Sequence, residues 1–281
     1  IEHNIFTPGN YFYNGVGHVT VKYEEVLAIG YKGIIDKARA ELEKCQVGDG
    51  NYAKKSHFLN AVIVSCQAVI EYAERYAELA SQMAAECTDP VRKQELLQIS
   101  ENCSRVPANG ATSFYEACQS FWFVQQLIQM ESSGHSISPG RFDQYMYPFY
   151  EADIQSGRLT EQTALQLLQE FFLSFNRDSD MYTGMQQGDN GQSLMLGGCD
   201  REGRCAVNDL TYLCITASLN NRRIDPKINL RVDKHTPLSL YRRCTELTRQ
   251  GLGFPQYSND DVVIPALTRL GYQLEDARDY T

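Results

Sequence analysis

The chain has 281 residues and a formal net charge of -9, and its 43% hydrophobic and 22% charged residues are typical of a globular protein. The acidic balance argues against nucleic acid and anionic membranes as partners, because both attract clustered Lys and Arg. No stretch approaches the roughly 18 apolar residues of a membrane span, and no signal peptide is apparent, so we expect a soluble, cytoplasmic protein.

Two long helices are predicted in the first part of the chain. Apolar residues recur at helical spacing from Leu59 to Ala80, and Ser56 is a candidate N-cap for that helix. Asp89 followed by Pro90 predicts the start of the next helix, because Asp caps the first turn and Pro fits within it.

Two more helix starts follow. Ser113 and Glu116 have the spacing of a capping box, and Thr160 is a candidate N-cap further on. The apolar positions of the two helices predict well-buried faces. They are Phe114, Ala117, Cys118, Phe121, Trp122, Leu127 and Ile128 in the first helix, and Leu165, Leu168, Phe171, Phe172 and Phe175 in the second.

The spacing of apolar residues changes from helical to strand-like after about residue 190. QSLMLGG (192–198) and KINLRV (227–232) are short apolar runs bounded by turn residues, which predicts strands. Helices are predicted from Asn208 to Leu219 and from Pro237 to Gln250. This alternation is typical of an α/β sheet or barrel, and no linker or repeat supports an internal domain boundary.

The nine cysteines predict reduced thiols. Their number is odd and none forms a Cys-x-x-Cys pair. Several fall on apolar helix faces, where a free thiol behaves as a small hydrophobic side chain. The positions are Cys45, Cys66, Cys87, Cys103, Cys118, Cys199, Cys205, Cys214 and Cys244.

Two of the five histidines stand out. His18 and His135 each follow a glycine in an irregular stretch beside an apolar segment, whereas His3, His57 and His235 lie in polar surroundings. On the residues alone, each of the first two is either a hydrogen-bonded structural imidazole or a functional group. Their spacing fits no metal-binding motif, so no bound metal is expected.

His135 belongs to the polar stretch GHSISPGRFDQYMYP (134–148). Its aromatic residues could line a pocket or belong to the hydrophobic core. Arg141 and Asp143 are interpreted as a structural ion pair or a cap. The chain has no G-x-S-x-G, P-loop or G-x-G-x-x-G motif, so a serine hydrolase and a nucleotide-binding protein are not supported.

Several longer segments closely resemble one family. The chain is similar to the glycyl radical enzymes, especially the B12-independent glycerol and propanediol dehydratases, from about Phe6 to its end and most weakly over 152–191. The segments are GNYFYNGVGHVTVKYEEVL, SFYEACQSFWF, ESSGHSISPGRFDQYMYPFYEAD, ELTRQGLGFPQYSNDDVVIPAL and LEDARDY. The resemblance implies that residues 1–281 are the middle part of a single domain, the helix-rich portion of a ten-stranded α/β barrel built from two five-stranded halves.

The resemblance also implies radical chemistry. In the family, a separate activase with S-adenosylmethionine and an iron-sulfur cluster installs a radical on a backbone glycine. That radical passes to a cysteine, and the thiyl removes a hydrogen atom from the substrate. We therefore expect an anaerobic dehydratase, a carbon–oxygen lyase, that acts on a diol or polyol. A homodimer and the radical activating enzyme as a partner are also expected.

The family's site residues carry over to four positions. His18 in NGVGHV matches the histidine that contacts the leaving hydroxyl. His135 and Ser136 in GHSIS match residues that hold the substrate's hydroxyls, and Asn10 in GNYFYNG matches a pocket asparagine.

The reacting groups themselves are expected elsewhere. In the family, the cysteine and the general-base glutamate follow the LEDARDY segment in a G-C-V-E motif, and the radical glycine comes much later. All three are therefore expected beyond Thr281, in a longer protein of which this chain is a fragment. Cys199 and Cys244 are not assigned the thiyl role.

Two differences between this chain and the family's pattern bear on the identity of the substrate. Gly191 stands where glycerol dehydratase has a tyrosine, among Gln187, Asp189, Asn190 and Gln192, and Lys227 replaces a serine. We expect a larger, amide-rich and cationic pocket for a bigger polyol or one that bears phosphate or sulfonate. The alternatives are a lyase of C–N, C–S or C–C bonds on the same scaffold, and a catalytically silent relative that acts as a binding or scaffold protein.

Overall fold

The computed structural model describes residues 18–132, 136–177 and 191–280. Contacts divide the chain into two compact units, Lys22–Leu127 and the remainder, Ile1–Val21 with Ile128–Thr281. The single domain expected over residues 1–281 stays a prediction. Within the three described ranges, none of the helices has both the length and the apolar character needed to cross a membrane.

The unit Lys22–Leu127 is helical. It contains α1 (Tyr23–Glu43), which is interrupted at Gly30, α2 (Tyr52–Glu86), α3 (Pro90–Arg105) and most of α4 (Phe114–Ser132). α2 packs against both α1 and α3. Tyr23 stacks on Phe121 with 3.9 Å between ring centroids, and its hydroxyl donates to Gln125. The predicted burial of α4 is confirmed at its first turns, where Phe114, Ala117, Cys118 and Phe121 are inaccessible to solvent or nearly so.

Helices α3 and α4 begin where the capping residues in the sequence predict. Asp89 accepts a hydrogen bond from Val91 N at 2.9 Å, as an N-cap should. Ser113 Oγ accepts from Glu116 N at 3.1 Å, which confirms half of the capping box. The other half differs, because the Glu116 carboxylate accepts from Thr112 N at 2.7 Å, one residue before the expected donor.

The predicted N-cap at Ser56 is wrong. α2 already begins at Tyr52, with Asn51 as its N-cap, so Ser56 lies inside the helix. Its hydroxyl donates to Ala53 O at 3.2 Å, a bond within the helix. The apolar periodicity used to place the start begins only at Leu59, and the polar first turn before it gave no such signal.

The second unit alternates strands and helices. Its strands are β1 (Val19–Thr20), β2 (Ile137–Ser138), β3 (Ser193–Gly197), β4 (Lys227–Val232) and β5 (Gln256–Asn259). Its helices are α5 (Phe142–Tyr145), α6 (Tyr147–Gln155), α7 (Glu161–Ser174), α8 (Asp209–Asn221), α9 (Leu238–Thr248), α10 (Asp260–Arg269) and α11 (Leu274–Tyr280). The predicted strands are confirmed as β3 and β4, and the caps Thr160 and Asn208 each close a capping box.

The five strands found among the described residues all run parallel. β1 pairs with β2, and β3, β4 and β5 form a second sheet in that order. Gly140, just after β2, bridges in parallel to Leu194 of β3, and its carbonyl accepts from Met195 N at 2.7 Å. The beginnings of the five strands therefore lie along one edge.

The β3–β5 sheet has an apolar and a polar face. Side chains alternate along a strand, and paired residues of parallel strands point the same way. One face carries the buried residues Leu194, Leu196, Ile228, Leu230 and Val232. The opposite face carries Ser193, Met195, Lys227, Asn229, Arg231, Gln256 and Ser258. In an α/β barrel, helices cover one face of the strands and the other face lines the interior.

Candidate active site

The pairing of β1 with β2 brings two predicted site residues together. Val19 N donates a hydrogen bond to Ser136 O at 3.1 Å, and Val19 is in register with Ile137. His18 and Ser136 directly precede these two residues, so they occupy equivalent positions at the start of adjacent strands. His18 is exposed, and Ser136 is buried.

Ser136 has two unusual properties. Its φ of 57° lies in the left-handed region, which is uncommon for a residue other than glycine. Its Oγ is buried and has no hydrogen-bond partner in the described part of the chain. Buried hydroxyls are nearly always paired, and strained backbone is concentrated at functional sites. Ser136 Oγ is therefore suited to receive a ligand's polar atom.

Gly191 borders this hydroxyl. A Cβ atom at position 191 would lie 2.7 Å from Ser136 Oγ, and Gly191 has a φ of 67°. A larger residue here would fill the space next to the hydroxyl. The other predicted site residues, His135 and Asn10, lie outside the described residues, as do Gln187, Asp189 and Asn190.

Lys227 and Gln192, which were both expected to make the pocket polar, differ in their burial and their surroundings. Lys227 is half-buried at the start of β4, on the polar face and in register with Ser193. Gln192 is buried instead, where its amide donates to Phe175 O at 2.8 Å and accepts from Gln129 at 2.9 Å. Gln192 therefore has a structural role and does not line an open pocket.

Asp143, in the short helix α5, ties the segment after β2 to two other elements. Its buried carboxylate accepts from Gly197 N at 2.8 Å, from Thr211 Oγ1 at 2.5 Å and from Gln144 Nε2 at 2.8 Å. Burial raises the pKa of this carboxyl, and the three hydrogen bonds oppose that rise. The expected ion pair with Arg141 is replaced by bonds to the end of β3 and the start of α8.

Arg141 holds the same segment from its other side. Its guanidinium donates to Cys199 O at 2.7 Å and to Asp279 at 3.3 Å. Burial, together with the neighbouring charge of Arg231, lowers the pKa of Arg141. Arg141 and Asp143 thus fix the segment that follows β2, each through partners distant in the sequence.

Sequence reasoning missed a charged cluster at the far ends of the strands. Arg231, on β4, is completely buried and forms a two-pronged ion pair with Asp260, Nε to Oδ1 at 3.0 Å and Nη2 to Oδ2 at 2.9 Å. The only signal was a lone arginine inside the apolar run KINLRV.

Cys199 and Cys244 offer no reactive thiolate. All nine are free thiols. Burial raises the pKa of Cys199, and it raises the pKa of Cys244 to about 12. Neither thiol is therefore activated by its surroundings. Among the described residues, no group of three or more His, Cys, Asp or Glu could hold a metal ion.

The whole chain, residues 1–281, matches the pyruvate formate lyase-like family. It belongs to that family. A structure determined in work on 1,2-propanediol dehydration in Roseburia inulinivorans is 49% identical, with a TM-score of 0.90, over 99% of this chain and 36% of that chain. The glycerol-bound B12-independent glycerol dehydratase of Clostridium butyricum is 44% identical, with a TM-score of 0.88, over 96% of this chain and 35% of that chain.

A third similar protein is named for a sulfonated substrate. The (2S)-3-sulfopropanediol dehydratase of Klebsiella oxytoca is 38% identical over 100% of this chain and 35% of the relative. The chain thus spans about a third of the length of the proteins it matches. These likenesses confirm the resemblance to glycyl radical enzymes and the expected fold, the helix-rich portion of their α/β barrel.

Proposed function

We propose that this chain is the substrate-holding part of a glycyl radical dehydratase, a carbon–oxygen lyase that eliminates water from a 1,2-diol or polyol. The observation that carries the proposal is the placement of His18 beside Ser136, whose buried hydroxyl has no partner among the described residues. The likeness to a structure from work on 1,2-propanediol dehydration supports the substrate class.

Ser136 is the residue proposed to bind a substrate hydroxyl. A buried hydroxyl without a partner costs about 1–3 kcal/mol, and a diol oxygen at Ser136 Oγ would remove that cost. A site built this way rejects analogues that lack the hydroxyl, because its polar atom is then left unpaired. His135 and Asn10 are proposed to hold the substrate with it.

His18 is the residue proposed to assist departure of the leaving oxygen. Hydroxide is a poor leaving group, so elimination requires a proton donor within hydrogen-bond reach of that oxygen. His18 is exposed directly before β1, in the position equivalent to that of Ser136 before β2. Its imidazole is therefore proposed to donate to the departing hydroxyl, which leaves as water.

Membership of the family implies a protein-derived radical, which supplies removal of a hydrogen atom from the substrate. The thiyl cysteine, the general-base glutamate and the radical glycine are proposed to follow Thr281. The separate activating enzyme, the homodimer and a cytoplasmic location are part of the same proposal.

Lys227 supports a narrower substrate class. Its position on the polar face, near the start of β4, is on the same strand edge as His18 and Ser136. Asn229 follows on the same face. A diol that carries a sulfonate or phosphate fits such an edge better than glycerol does, and a matched relative is named for a sulfonated diol.

The test uses the full-length protein activated without oxygen by its radical enzyme. Electron paramagnetic resonance should show a glycyl doublet, and NMR should show aldehyde formed from 1,2-diols, including a sulfonated one. Propan-1-ol, which lacks the second hydroxyl, is the matched control and should give nothing. A doublet without aldehyde from any diol would favour a lyase of another bond, and no doublet at all would favour a silent relative.

A further inference from the structure

Two of the free cysteines lie opposite each other in the hairpin that follows β3, residues 198–206. Cys199 and Cys205 form an isolated antiparallel bridge. Backbone hydrogen bonds join the residues on either side of them, Ala206 N to Gly198 O and Asp200 N to Arg204 O, both at 2.9 Å. The cysteines are therefore a pair of the kind that is not itself hydrogen-bonded in an antiparallel ladder.

This kind of pair brings two thiols within reach of a disulfide. Its Cα atoms lie about 4.5 Å apart and its side chains point to the same face. A disulfide needs a Cα separation of about 4.4–6.8 Å and a Cβ separation of about 3.5–4.5 Å. Directly opposite Cβ atoms lie about 4.5–5.5 Å apart, so an approach of about 1 Å is sufficient. The bond can form without unfolding the hairpin.

The turn between the cysteines fixes their register. Asp200 O accepts from Gly203 N at 3.0 Å, and Gly203 has a φ of 85°. A hydrogen-bonded turn that ends in a left-handed glycine is a common three-residue hairpin connection. The Asp200 carboxylate also accepts from Arg204 N at 2.8 Å and from Arg204 Nε at 2.6 Å. The sequence CDREGRC (199–205) thus places its two cysteines opposite each other.

The two thiols differ in their surroundings. Cys205 is exposed, whereas Cys199 is buried with its Sγ 3.8 Å from Arg231 Nη2. Burial and the neighbouring charge of Asp260 raise the pKa of Cys199, so this thiol stays protonated at neutral pH. An oxidant in solution therefore meets Cys205 first.

The backbone of Cys199 is held from two sides. Its N–H donates to Asp260 Oδ2 at 3.2 Å, and its carbonyl accepts from Arg141 Nη2 at 2.7 Å. Cys205 lies on the exposed arm of the hairpin. The approach that a disulfide requires is therefore made by the Cys205 arm, while Cys199 stays in place.

We propose that Cys199 and Cys205 form a reversible disulfide when the protein meets hydrogen peroxide. Cys205 is the thiol that reacts with the peroxide, and Cys199 is the thiol that resolves the product. The inference goes beyond the proposed function and does not depend on which reaction the whole protein catalyses. Its value to the protein is that Cys205 is removed from further, irreversible oxidation.

The reaction has two steps. The Cys205 thiolate attacks one peroxide oxygen, so that an S–O bond forms, the O–O bond breaks and the departing hydroxide takes up a proton as water. The Cys199 sulfur then attacks the sulfur of the Cys205 sulfenic acid. The S–S bond forms, the S–O bond breaks, and the oxygen leaves with the thiol proton of Cys199 as a second water. Two electrons pass from the two sulfurs to the peroxide, and exchange with an external thiol reverses the bond.

The test uses the full-length protein without its radical, treated with hydrogen peroxide and then denatured with an alkylating agent that blocks the remaining thiols. Trypsin cuts after Arg201 and Arg204, so a disulfide between the cysteines appears as two linked peptides with residues 202–204 released. Chymotrypsin, which cuts after Tyr212, separates Cys205 from Cys214 on the second peptide. Mass spectrometry without a reductant identifies the link.

The wild type should show Cys199 linked to Cys205, and dithiothreitol should remove the link. In Cys205→Ser, a change at an exposed position, Cys199 should be oxidised at least about tenfold less than in the wild type. Cys87→Ser, at a half-buried thiol outside the hairpin, is the matched control and should leave the link unchanged. Cys205 linked to another cysteine, or oxidised while Cys199 stays a free thiol, would overturn the proposal. So would two free thiols after peroxide has oxidised other cysteines.

A titration of the wild type in glutathione buffers tests the pairing without any variant. Closing the disulfide releases two molecules of reduced glutathione, whereas a mixed disulfide at Cys205 releases one. At a fixed ratio of oxidised to reduced glutathione, diluting the buffer tenfold should raise the ratio of closed to open pair about tenfold. No response to dilution would show a mixed disulfide in place of the pair and would overturn the proposal.

Discussion

Ser136 Oγ occupies the space that a side chain at Gly191 would need, since a Cβ atom there would lie 2.7 Å from it. The two residues come from separate segments of the polar strand edge, and a side chain at position 191 would press on the buried hydroxyl.

Gly191→Ala should disturb both the fold and the site. A left-handed alanine costs about 1–2 kcal/mol by itself, and the contact with Ser136 adds to this. Gly157→Ala is the matched control, because Gly157 has a φ of 71° but nothing within 4 Å of its would-be Cβ. Thermal denaturation should show the larger loss for Gly191→Ala, and its KM for a diol should also rise. Equal losses in the two variants would contradict the contact with Ser136.

His18→Ala should remove turnover and leave the fold intact. Loss of a proton donor typically lowers kcat by about 10²–10⁴, whereas an exposed side chain contributes little to stability. The glycyl radical signal should match that of the wild type. His57→Ala, at an exposed position of α2, is the control and should keep full activity. Wild-type turnover by His18→Ala would exclude the role proposed for this histidine.

Asp143→Asn should destabilise the protein strongly although Asp143 is not a proposed site residue. The buried carboxylate accepts three hydrogen bonds, and an amide can accept at only one oxygen. We expect a loss of about 2–4 kcal/mol by denaturant titration. Asp36→Asn, an exposed position, should change the free energy of unfolding by less than about 0.5 kcal/mol. A similar small change at Asp143 would show that its network does not hold the segment after β2.

Stability should fall at alkaline pH. Burial raises the pKa of Cys103 from 9.0 to about 12, so in this range the unfolded chain loses the thiol proton before the folded one does. Its contribution is therefore complete below pH 9 and declines as the pH rises from 9 towards 12. Buried Tyr31, with a pKa raised to about 12, acts in the same direction.

The melting temperature, measured between about pH 8 and 10.5, tests how much the Cys103 thiol contributes to this loss of stability. Cys103→Ala should flatten the decline, even though the lost packing lowers the melting temperature at every pH. Cys205→Ala, at an exposed thiol, should leave the slope unchanged. Identical slopes in all three proteins would contradict a shifted thiol pKa.

The sequence allowed β3 and β4 to be predicted because their apolar runs face a core, but β5 escaped notice. QYSN has no apolar periodicity, since Gln256 and Ser258 point to the polar face and Tyr257 is partly exposed. Arg231 was missed for a related reason. A charge within an apolar strand is ordinarily at the surface, and its burial depends on Asp260, which lies in another element.

The candidate site was predictable only as separate residues. His18, His135, Ser136 and Asn10 came from motif resemblance, and nothing local in the sequence joins them. The placement of His18 next to Ser136 along the strand edge depends on the pairing of β1 and β2, which are two residues each and too short to produce a periodic signal. Pairing of such short strands is decided by the rest of the fold.

The most direct test of the account is a crystal structure of the full-length protein with a 1,2-diol bound. One diol oxygen should lie about 2.6–3.2 Å from Ser136 Oγ, and the adjacent oxygen should lie at the same range from the His18 imidazole. A diol bound elsewhere, with Ser136 Oγ hydrogen-bonded to a protein atom, would contradict the site proposed for this chain.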